Sequence, residues 1–270
     1  LSEQQLAEAA AELLESQPAM APLYRAANEA CRQARRRGAA TETLIPAREA
    51  VPGRAAAIFP ACGARVMAYS YSSTVFATLV TSRRRIARVI CSEGRPGREG
   101  VRLARALARQ GLRVCLCTDA ALMDRLEEVD LIVVGADAFL PSGVVNKVGT
   151  RALALLGQTA GRPLFVVAGQ RKVLPARLAR FFSLPVRSGA EIARAVPGLA
   201  VENPYFDVTP YRLVRGVVTE RGLTSPRDLE REMSAIAVSE ALVTALERRL
   251  ESRRASKVLL PQKMTCRRLR

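Results

Sequence analysis

An acid, an amide and a cation lie within one short stretch, residues 130–150, which reads DLIVVGADAFLPSGVVNKVGT. Its apolar run, 131–134, predicts a strand buried on both faces of a parallel sheet. Asp137 follows at the carboxyl edge, where open α/β folds bind ligands. A loop then leads to Asn146 and Lys147 at the start of a predicted helix, so the stretch suits a small anion. In the alternative interpretation, Asp137 caps a loop and Lys147 is a solvated helix residue.

Further polar groups follow two other predicted strands. Ser70 and Ser72 lie just before a predicted helix, although an ordinary N-cap is the simpler explanation for either serine alone. In SEGRPGREG, Arg95 lies between Glu93 and a proline at a predicted helix start, which suits bidentate phosphate binding. The alternative for Arg95 is a salt bridge to Glu93 or Glu99.

Alternating strand and helix patterns position these residues. Helices separate five predicted strands, at residues 65–69, 85–91, 112–118, 131–134 and 163–168. This alternation indicates right-handed βαβ units and a doubly wound parallel sheet. Later residues add edge structure over 206–218 and one or two helices over 225–254.

Helical periodicity also fills residues 2–37, before a connection marked by proline and glycine. The fold class predicted is therefore α/β, with a small N-terminal helical domain before a Rossmann-like, doubly wound parallel sheet domain. The predicted boundaries are 1–60 for the helical domain, 61–254 for the sheet domain and 255–270 for a basic tail.

Composition narrows the function classes. The net charge is +17, of which residues 247–270 supply +7, and no pattern of interleaved aromatic and basic residues indicates base stacking. The chain has no histidine and its six cysteines lack paired CxxC spacing, so reduced thiols and neither metal nor cofactor are expected. Because neither a membrane span nor a secretory signal is visible, the expected location is the cytoplasm.

Three motifs carry a family resemblance: SEGRPGREG, VGADAFLPSGVVNKVGT and FDVTPYRLVRGVVTERGLTSP. In this order they resemble the family of translation initiation factor 2B alpha, beta and delta subunits. That family also contains methylthioribose-1-phosphate isomerase and ribose-1,5-bisphosphate isomerase. The resemblance implies a helical N-terminal domain, a Rossmann-like C-terminal domain, a sugar-phosphate pocket at the carboxyl edge, and a homodimer or higher oligomer.

The resemblance also implies roles for single residues. Asp137 matches the catalytic aspartate of the isomerases, and Asn146 and Lys147 match the pair that contacts the sugar. Ser70 stands where those enzymes have a catalytic cysteine. A serine hydroxyl is a far weaker acid than a thiol and has no histidine here to activate it, so thiol chemistry is lost at that position unless Cys91 replaces it. The predicted site residues are Ser70, Ser72, Glu93, Arg95, Asp137, Asn146, Lys147 and Lys172.

Three functions follow from this set. The first is an initiation-factor-2B-like protein that binds a sugar phosphate or a nucleoside monophosphate and acts through binding and subunit assembly, with a translation factor as one candidate partner. The alternative is an aldose–ketose isomerase of the ribose-1,5-bisphosphate type in which Ser70 replaces the catalytic cysteine and Asp137 acts. The third is a structural or RNA-associated protein that binds through the basic tail.

Overall fold

The computed structural model describes residues 1–35 and 50–258, and for residues 254–258 it describes the backbone alone. Most of the predicted basic tail, residues 259–270, lies outside the described residues. The strands are β1 (Ala64–Ala68), β2 (Ile86–Ser92), β3 (Val114–Cys117), β4 (Leu131–Val134), β5 (Ala138–Leu140), β6 (Gly143–Lys147), β7 (Leu164–Val167), β8 (Phe206–Thr209), β9 (Gly216–Thr219) and β10 (Gly222–Thr224). The α-helices are α1 (Glu3–Ser16), α2 (Ala21–Arg35), α3 (Ala50–Arg54), α4 (Ser73–Thr81), α5 (Glu99–Arg109), α6 (Asp119–Met123), α7 (Thr150–Thr159), α8 (Pro226–Ala235) and α9 (Glu240–Val258).

The large sheet has the strand order β10-β9-β7-β4-β1-β2-β3. Its strands are parallel except β10, which pairs antiparallel with β9. The six parallel strands follow the order of a Rossmann-like doubly wound sheet, in which the chain runs outward in both directions from β1 and β4. The predicted fold class is confirmed.

Side chains that alternate along the strands build the two faces of this sheet. Val66 and Ala68 of β1 pack with α3, α4 and α5 on one face. Met67, between them in sequence, packs on the other face with α6, α7 and α8. All four residues of β4 are buried, as a strand covered on both faces requires.

The structure contains a second sheet of three strands, in the order β5-β6-β8, which the sequence analysis did not predict. Residues 138–147 were predicted to be a loop that enters a helix, but they form an antiparallel hairpin whose two-residue turn is Pro141–Ser142. Because every residue of β5 and β6 is buried, neither strand shows the polar–apolar alternation that would have indicated it. Asn146 and Lys147 therefore lie on a strand.

The N-terminal helices α1 and α2 share a hydrophobic core with α9 and with the hairpin sheet. Leu14 and Tyr24 belong to the same buried cluster as Val145 of β6 and Leu242 of α9. The helices join the hairpin sheet rather than either face of the large one. The boundary at residue 60 stays a prediction.

Two further observations concern the whole described chain. None of its helices combines the length and apolar character that crossing a bilayer requires. Its cysteines, Cys31, Cys62, Cys91, Cys115 and Cys117, are free.

Candidate functional site

The candidate site lies at the carboxyl edge of the large sheet, where the strand order reverses. β1 and β4 are neighbours, with Ala68 opposite Val133, so the loops that leave their carboxyl ends meet. A Cβ atom on Gly135 would lie 2.7 Å from the Cβ of Ser72, which shows how closely the two loops approach. Crevices of this kind are the usual ligand sites of open α/β sheets.

Asp137 is a partly buried carboxylate at this edge. Its backbone N–H donates to the carbonyl of Val145 at 2.8 Å, which ties it to β6. Burial raises the pKa of the Asp137 carboxyl above its usual value, while the charges of Lys172 and Lys147 act against that rise. Two ammonium groups therefore act on this one carboxylate.

Lys147 is the most buried cation of the site, with 4% of its side chain exposed. Its Nζ lies 3.3 Å from Oε1 of Glu99, the first residue of α5, and 4.2 Å from the centre of the Tyr205 ring. The alternative interpretation, in which Lys147 is a solvated helix residue, is therefore wrong. Oε2 of Glu99 is buried without a donor among the described residues.

Lys172 is the second lysine whose charge acts on Asp137. It lies in the short turn after β7, and its Nζ donates a hydrogen bond to the carbonyl of Ala136, the residue before Asp137. The ammonium groups of Lys147 and Lys172 therefore both act electrostatically on one carboxylate. Buried or partly buried charges interact more strongly than exposed ones, because water screens them less.

The N-terminus of α7 has its own protein acceptor, contrary to the expectation that it would bind the anion. Oδ2 of Asp207 on β8 accepts from the backbone N–H groups of Gly149 at 2.8 Å and Arg151 at 3.1 Å. Burial raises the pKa of Asp207, and these two hydrogen bonds oppose the rise. Asn146 also supports this terminus, because its Nδ2 donates to Oγ1 of Thr150 at 3.1 Å.

Ser70 and Ser72 lie in the loop after β1, and Ser72 approaches Gly135 of the loop that carries Asp137. Ser70 has a φ of 63°, in the left-handed region that serine seldom adopts. The Oγ of Ser72 accepts from the N–H of Val75 at 3.4 Å, as an N-cap of α4. Cys91 is fully buried on β2, and burial raises the pKa of its thiol to about 12, so it does not replace the missing thiol.

The loop after β2 contains the remaining predicted residues. α5 begins at Glu99, after the proline that follows Arg95. Arg95 is exposed, and its backbone N–H donates to Oδ2 of Asp119 at 2.7 Å. The acids proposed as its salt-bridge partners pair elsewhere: Glu93 with Arg98 at 4.0 Å and Glu99 with Lys147 at 3.3 Å.

Sequence reasoning missed three residues of this site: Glu99, Tyr205 and Asp207. Glu99 was considered only as a partner of Arg95. Asp207 lies within the FDVTP motif, directly opposite Asn146 in the β6–β8 pairing. If the sequence had shown the hairpin, the position of Asp207 opposite Asn146 would have followed from the strand pairing. The phenol of Tyr205 donates to Glu191, and no sequence signal links it to Lys147.

The sequence and structure were compared with known proteins. A family model described as "Initiation factor 2 subunit family" matches residues 1–226. Ribose 1,5-bisphosphate isomerase of Methanocaldococcus jannaschii is 34% identical over 145 residues, which cover 52% of this chain and 47% of that protein. Methylthioribose-1-phosphate isomerase of Gemmatimonas aurantiaca is 37% identical over 172 residues, 61% of this chain and 50% of that protein.

Initiation-factor-like proteins are similar to the same degree. A putative translation initiation factor eIF-2B subunit 2-like protein of Pyrococcus furiosus is 36% identical over 168 residues, 61% of this chain and 59% of that protein. The chain thus spans about half the length of the curated relatives it matches. The crystal structure of Pyrococcus horikoshii translation initiation factor eIF-2B superposes with a TM-score of 0.68 and 30% identity, covering 85% of this chain and 86% of that one.

Proposed function

The chain belongs to the initiation factor 2 subunit family, and from that membership we propose that it binds a phosphorylated sugar at the carboxyl edge of its large sheet. In this proposal the protein acts through ligand binding and subunit assembly. A nucleoside monophosphate, which carries the same ribose and phosphate groups, belongs to the same ligand class. The relatives named for ribose 1,5-bisphosphate and methylthioribose 1-phosphate support the ligand class.

The observation that carries the proposal is that the charges of two lysines, Lys147 and Lys172, act on the carboxylate of Asp137. A sugar phosphate needs cationic groups for its phosphate and acceptors for its hydroxyl groups. Lys147 and Lys172 provide the cations. The oxygens of Asp137 and the buried Oε2 of Glu99 provide the acceptors. A ligand hydroxyl that donates to Glu99 would also satisfy a buried oxygen that is otherwise unpaired, which favours binding.

Binding without turnover is supported by the groups that face Asp137. An aldose–ketose isomerisation moves a proton between neighbouring carbons and needs a second acid or base across from the first. In this proposal the group at the position of the family's catalytic cysteine is Ser70, in the loop after β1. Its hydroxyl remains protonated at neutral pH, and the chain has no histidine to activate it. Cys91 is buried in the sheet.

A thermal-shift screen with sugar phosphates and nucleoside monophosphates tests this proposal. We expect at least one of them to raise the melting temperature of the wild type, because a ligand that binds only the folded state stabilises it. Lys147→Gln should lose that rise, each variant being compared with its own ligand-free melt. Arg109→Gln, which removes an exposed charge at the end of α5, should keep it. A screen in which no compound raises the wild-type melting temperature contradicts the proposal.

The isomerase remains the second candidate, and the raised pKa of Asp137 favours it. A carboxyl whose pKa is raised exchanges protons closer to neutral pH, which is the property of a general acid or base. In this alternative Ser70 replaces the catalytic cysteine of the family's isomerases. It predicts that ribose 1,5-bisphosphate is converted to its ketose and that Asp137→Asn stops the conversion.

Subunit assembly is the other half of the proposal. Two neighbouring leucines on α7, Leu155 and Leu156, remain 42% and 43% exposed, as residues that await a partner surface would. Sedimentation velocity should give a mass of at least twice the 29.3 kDa chain. A monomer at micromolar concentration would exclude assembly by the chain alone. A translation-factor partner and a cytoplasmic location remain part of this proposal.

A further inference from the structure

A second cationic groove lies at the amino edge of the large sheet, opposite the candidate site. It is formed where β7 and β9 begin, between residues 161–164 and 212–215. The groove has a volume of about 330 Å³ and contains three arginines, Arg162, Arg212 and Arg215, while none of its lining residues is acidic. Small-molecule pockets have volumes of about 300–1,000 Å³.

The charges of these arginines are not neutralised within the described residues, where none of the three guanidinium groups forms an ion pair. Nε of Arg162 is buried and has no acceptor in this part of the chain. Asp130, on the neighbouring strand end, feels the charge of Arg162, but it is already paired with Arg65 at 2.6 Å. Buried donors normally have hydrogen-bond partners. A negatively charged acceptor bound in the groove would supply the partner that Nε of Arg162 lacks.

The backbone that carries the arginines is held in place. The N–H of Arg215 donates to the carbonyl of Leu164 at 2.8 Å, which joins the two sides of the groove. Leu213 and Val214 are buried in the core beneath it. The phenol of Tyr211 donates to the carbonyl of Leu140 at 2.8 Å, which anchors the turn before β9. Cations on a fixed backbone lose less entropy when they bind a ligand.

We propose that this groove binds a small anion that carries phosphate groups, independently of the site at the carboxyl edge. Guanidinium groups form paired hydrogen bonds with phosphate oxygens, and three of them match a ligand with more than one negative charge. The four residues of β7 separate the two edges of the sheet by about 13 Å. One small ligand therefore does not contact both sites.

Calorimetric titration with inorganic pyrophosphate at fixed ionic strength tests the groove. Arg212→Gln/Arg215→Gln removes two exposed charges and should weaken binding at least tenfold. The matched control, Arg105→Gln/Arg109→Gln, removes two exposed arginines from α5 and should bind as the wild type does. Equal losses in both double variants would show that net charge alone attracts the anion, and that outcome overturns the proposal. Circular dichroism melts establish that each variant is folded.

A second comparison separates this groove from the candidate site. Lys147→Gln alters only the carboxyl edge. Its titration with pyrophosphate should therefore still show the binding step that is absent from the Arg212→Gln/Arg215→Gln variant. Arg162→Lys keeps the charge but removes the planar donors, and it should also weaken that step. If Lys147→Gln abolishes all pyrophosphate binding while the groove variant retains it, the groove is not an anion site.

Discussion

Asp137 is the residue on which the candidate chemistry depends, and it contributes unfavourably to stability at neutral pH. Burial disfavours its charged form, so its folded-state pKa is higher than that of the unfolded chain. Between these two pKa values the folded protein binds more protons than the unfolded one. Its contribution to stability therefore falls as pH rises through that window. Ligand sites often retain such a cost because the charge serves binding.

Asp137→Asn should accordingly raise the free energy of unfolding at pH 7, by about 1–3 kcal/mol, because it removes a charge that burial disfavours. The gain should shrink as pH falls through the window between the two pKa values, and it should be lost below about 4, where the carboxyl is protonated in both states. Urea denaturation of the apo protein at pH 7 and pH 4 measures both values. Asp124→Asn, at an exposed position, serves as the control and should change neither. Destabilisation by Asp137→Asn at pH 7 would contradict the assigned environment.

Ser70 stores backbone strain at the same site, since its φ of 63° is unfavourable for any residue with a Cβ atom. Ser70→Gly should stabilise the protein by about 0.5–1 kcal/mol, because the relief of roughly 1–2 kcal/mol exceeds the added entropy of the unfolded chain. Ser70→Ala keeps the Cβ and should bring no gain. The midpoint of urea denaturation distinguishes the two. Equal stability of the glycine and alanine variants would show that this backbone conformation is not strained.

At the scale of elements, the parallel sheet could be predicted from the sequence and the hairpin could not. Each parallel strand is a short apolar run followed by a helical pattern, which is a local signal. The hairpin of β5 and β6 has no such signal, because α1, α2 and β8 cover it from distant parts of the chain. For this reason Asp137 was placed correctly at a strand end, whereas Lys147 was assigned to a helix.

The hairpin and α7 join at Gly149, whose φ is 99°. A Cβ atom there would lie 2.5 Å from the phenol oxygen of Tyr69, which donates to the carbonyl of Val148 at 2.8 Å. Gly149→Ala should therefore cost about 2 kcal/mol or more, since it combines an unfavourable φ with a clash. Gly53→Ala is the control, because a Cβ at Gly53 meets nothing within 4 Å. Thermal melts of the two variants should differ by several degrees, and equal melts would contradict this geometry.

At the scale of the whole molecule, ion pairs add to the hydrophobic core that joins α9 to α1. Arg249 of α9 contacts Glu12 at 3.2 Å and Glu15 at 2.6 Å on α1, and Arg248 contacts Glu8 at 2.9 Å. The hydrogen bond from Arg249 is the largest cause of a lowered pKa at Glu15, opposed by desolvation. The stabilisation from Glu15 is therefore present above its unfolded pKa and is lost as pH falls through its folded pKa.

Arg249→Ala should destabilise the protein by about 0.5–1 kcal/mol at low salt, and by less at 1 M NaCl, because these ion pairs are partly exposed and screened. Arg231→Ala provides a comparison within one helix. Its i,i+3 pair with Asp228 is mostly exposed, so the loss should be below about 0.5 kcal/mol. Chemical denaturation at the two salt concentrations gives these values. A salt-independent loss at Arg249 would indicate that packing, rather than charge, joins α9 to α1.

The positive charges of the chain are distributed over the whole molecule. The net charge of +17 suggested the basic tail as a binding segment. The described structure places many arginines in ion pairs and three in the groove at the amino edge. No sequence pattern could bring Arg162 together with Arg212 and Arg215, because only the pairing of β7 with β9 makes them neighbours. Net charge alone therefore gave no indication of the groove, and RNA binding through the basic tail stays a prediction.

The central claim, binding of a phosphorylated sugar without turnover, is tested most directly by NMR of ribose 1,5-bisphosphate incubated with the purified protein. The account predicts broadened or shifted ligand resonances with wild type, weaker effects with Lys147→Gln, and no signal from ribulose 1,5-bisphosphate after prolonged incubation. Formation of the ketose by wild type, stopped by Asp137→Asn, would contradict the account and establish the isomerase.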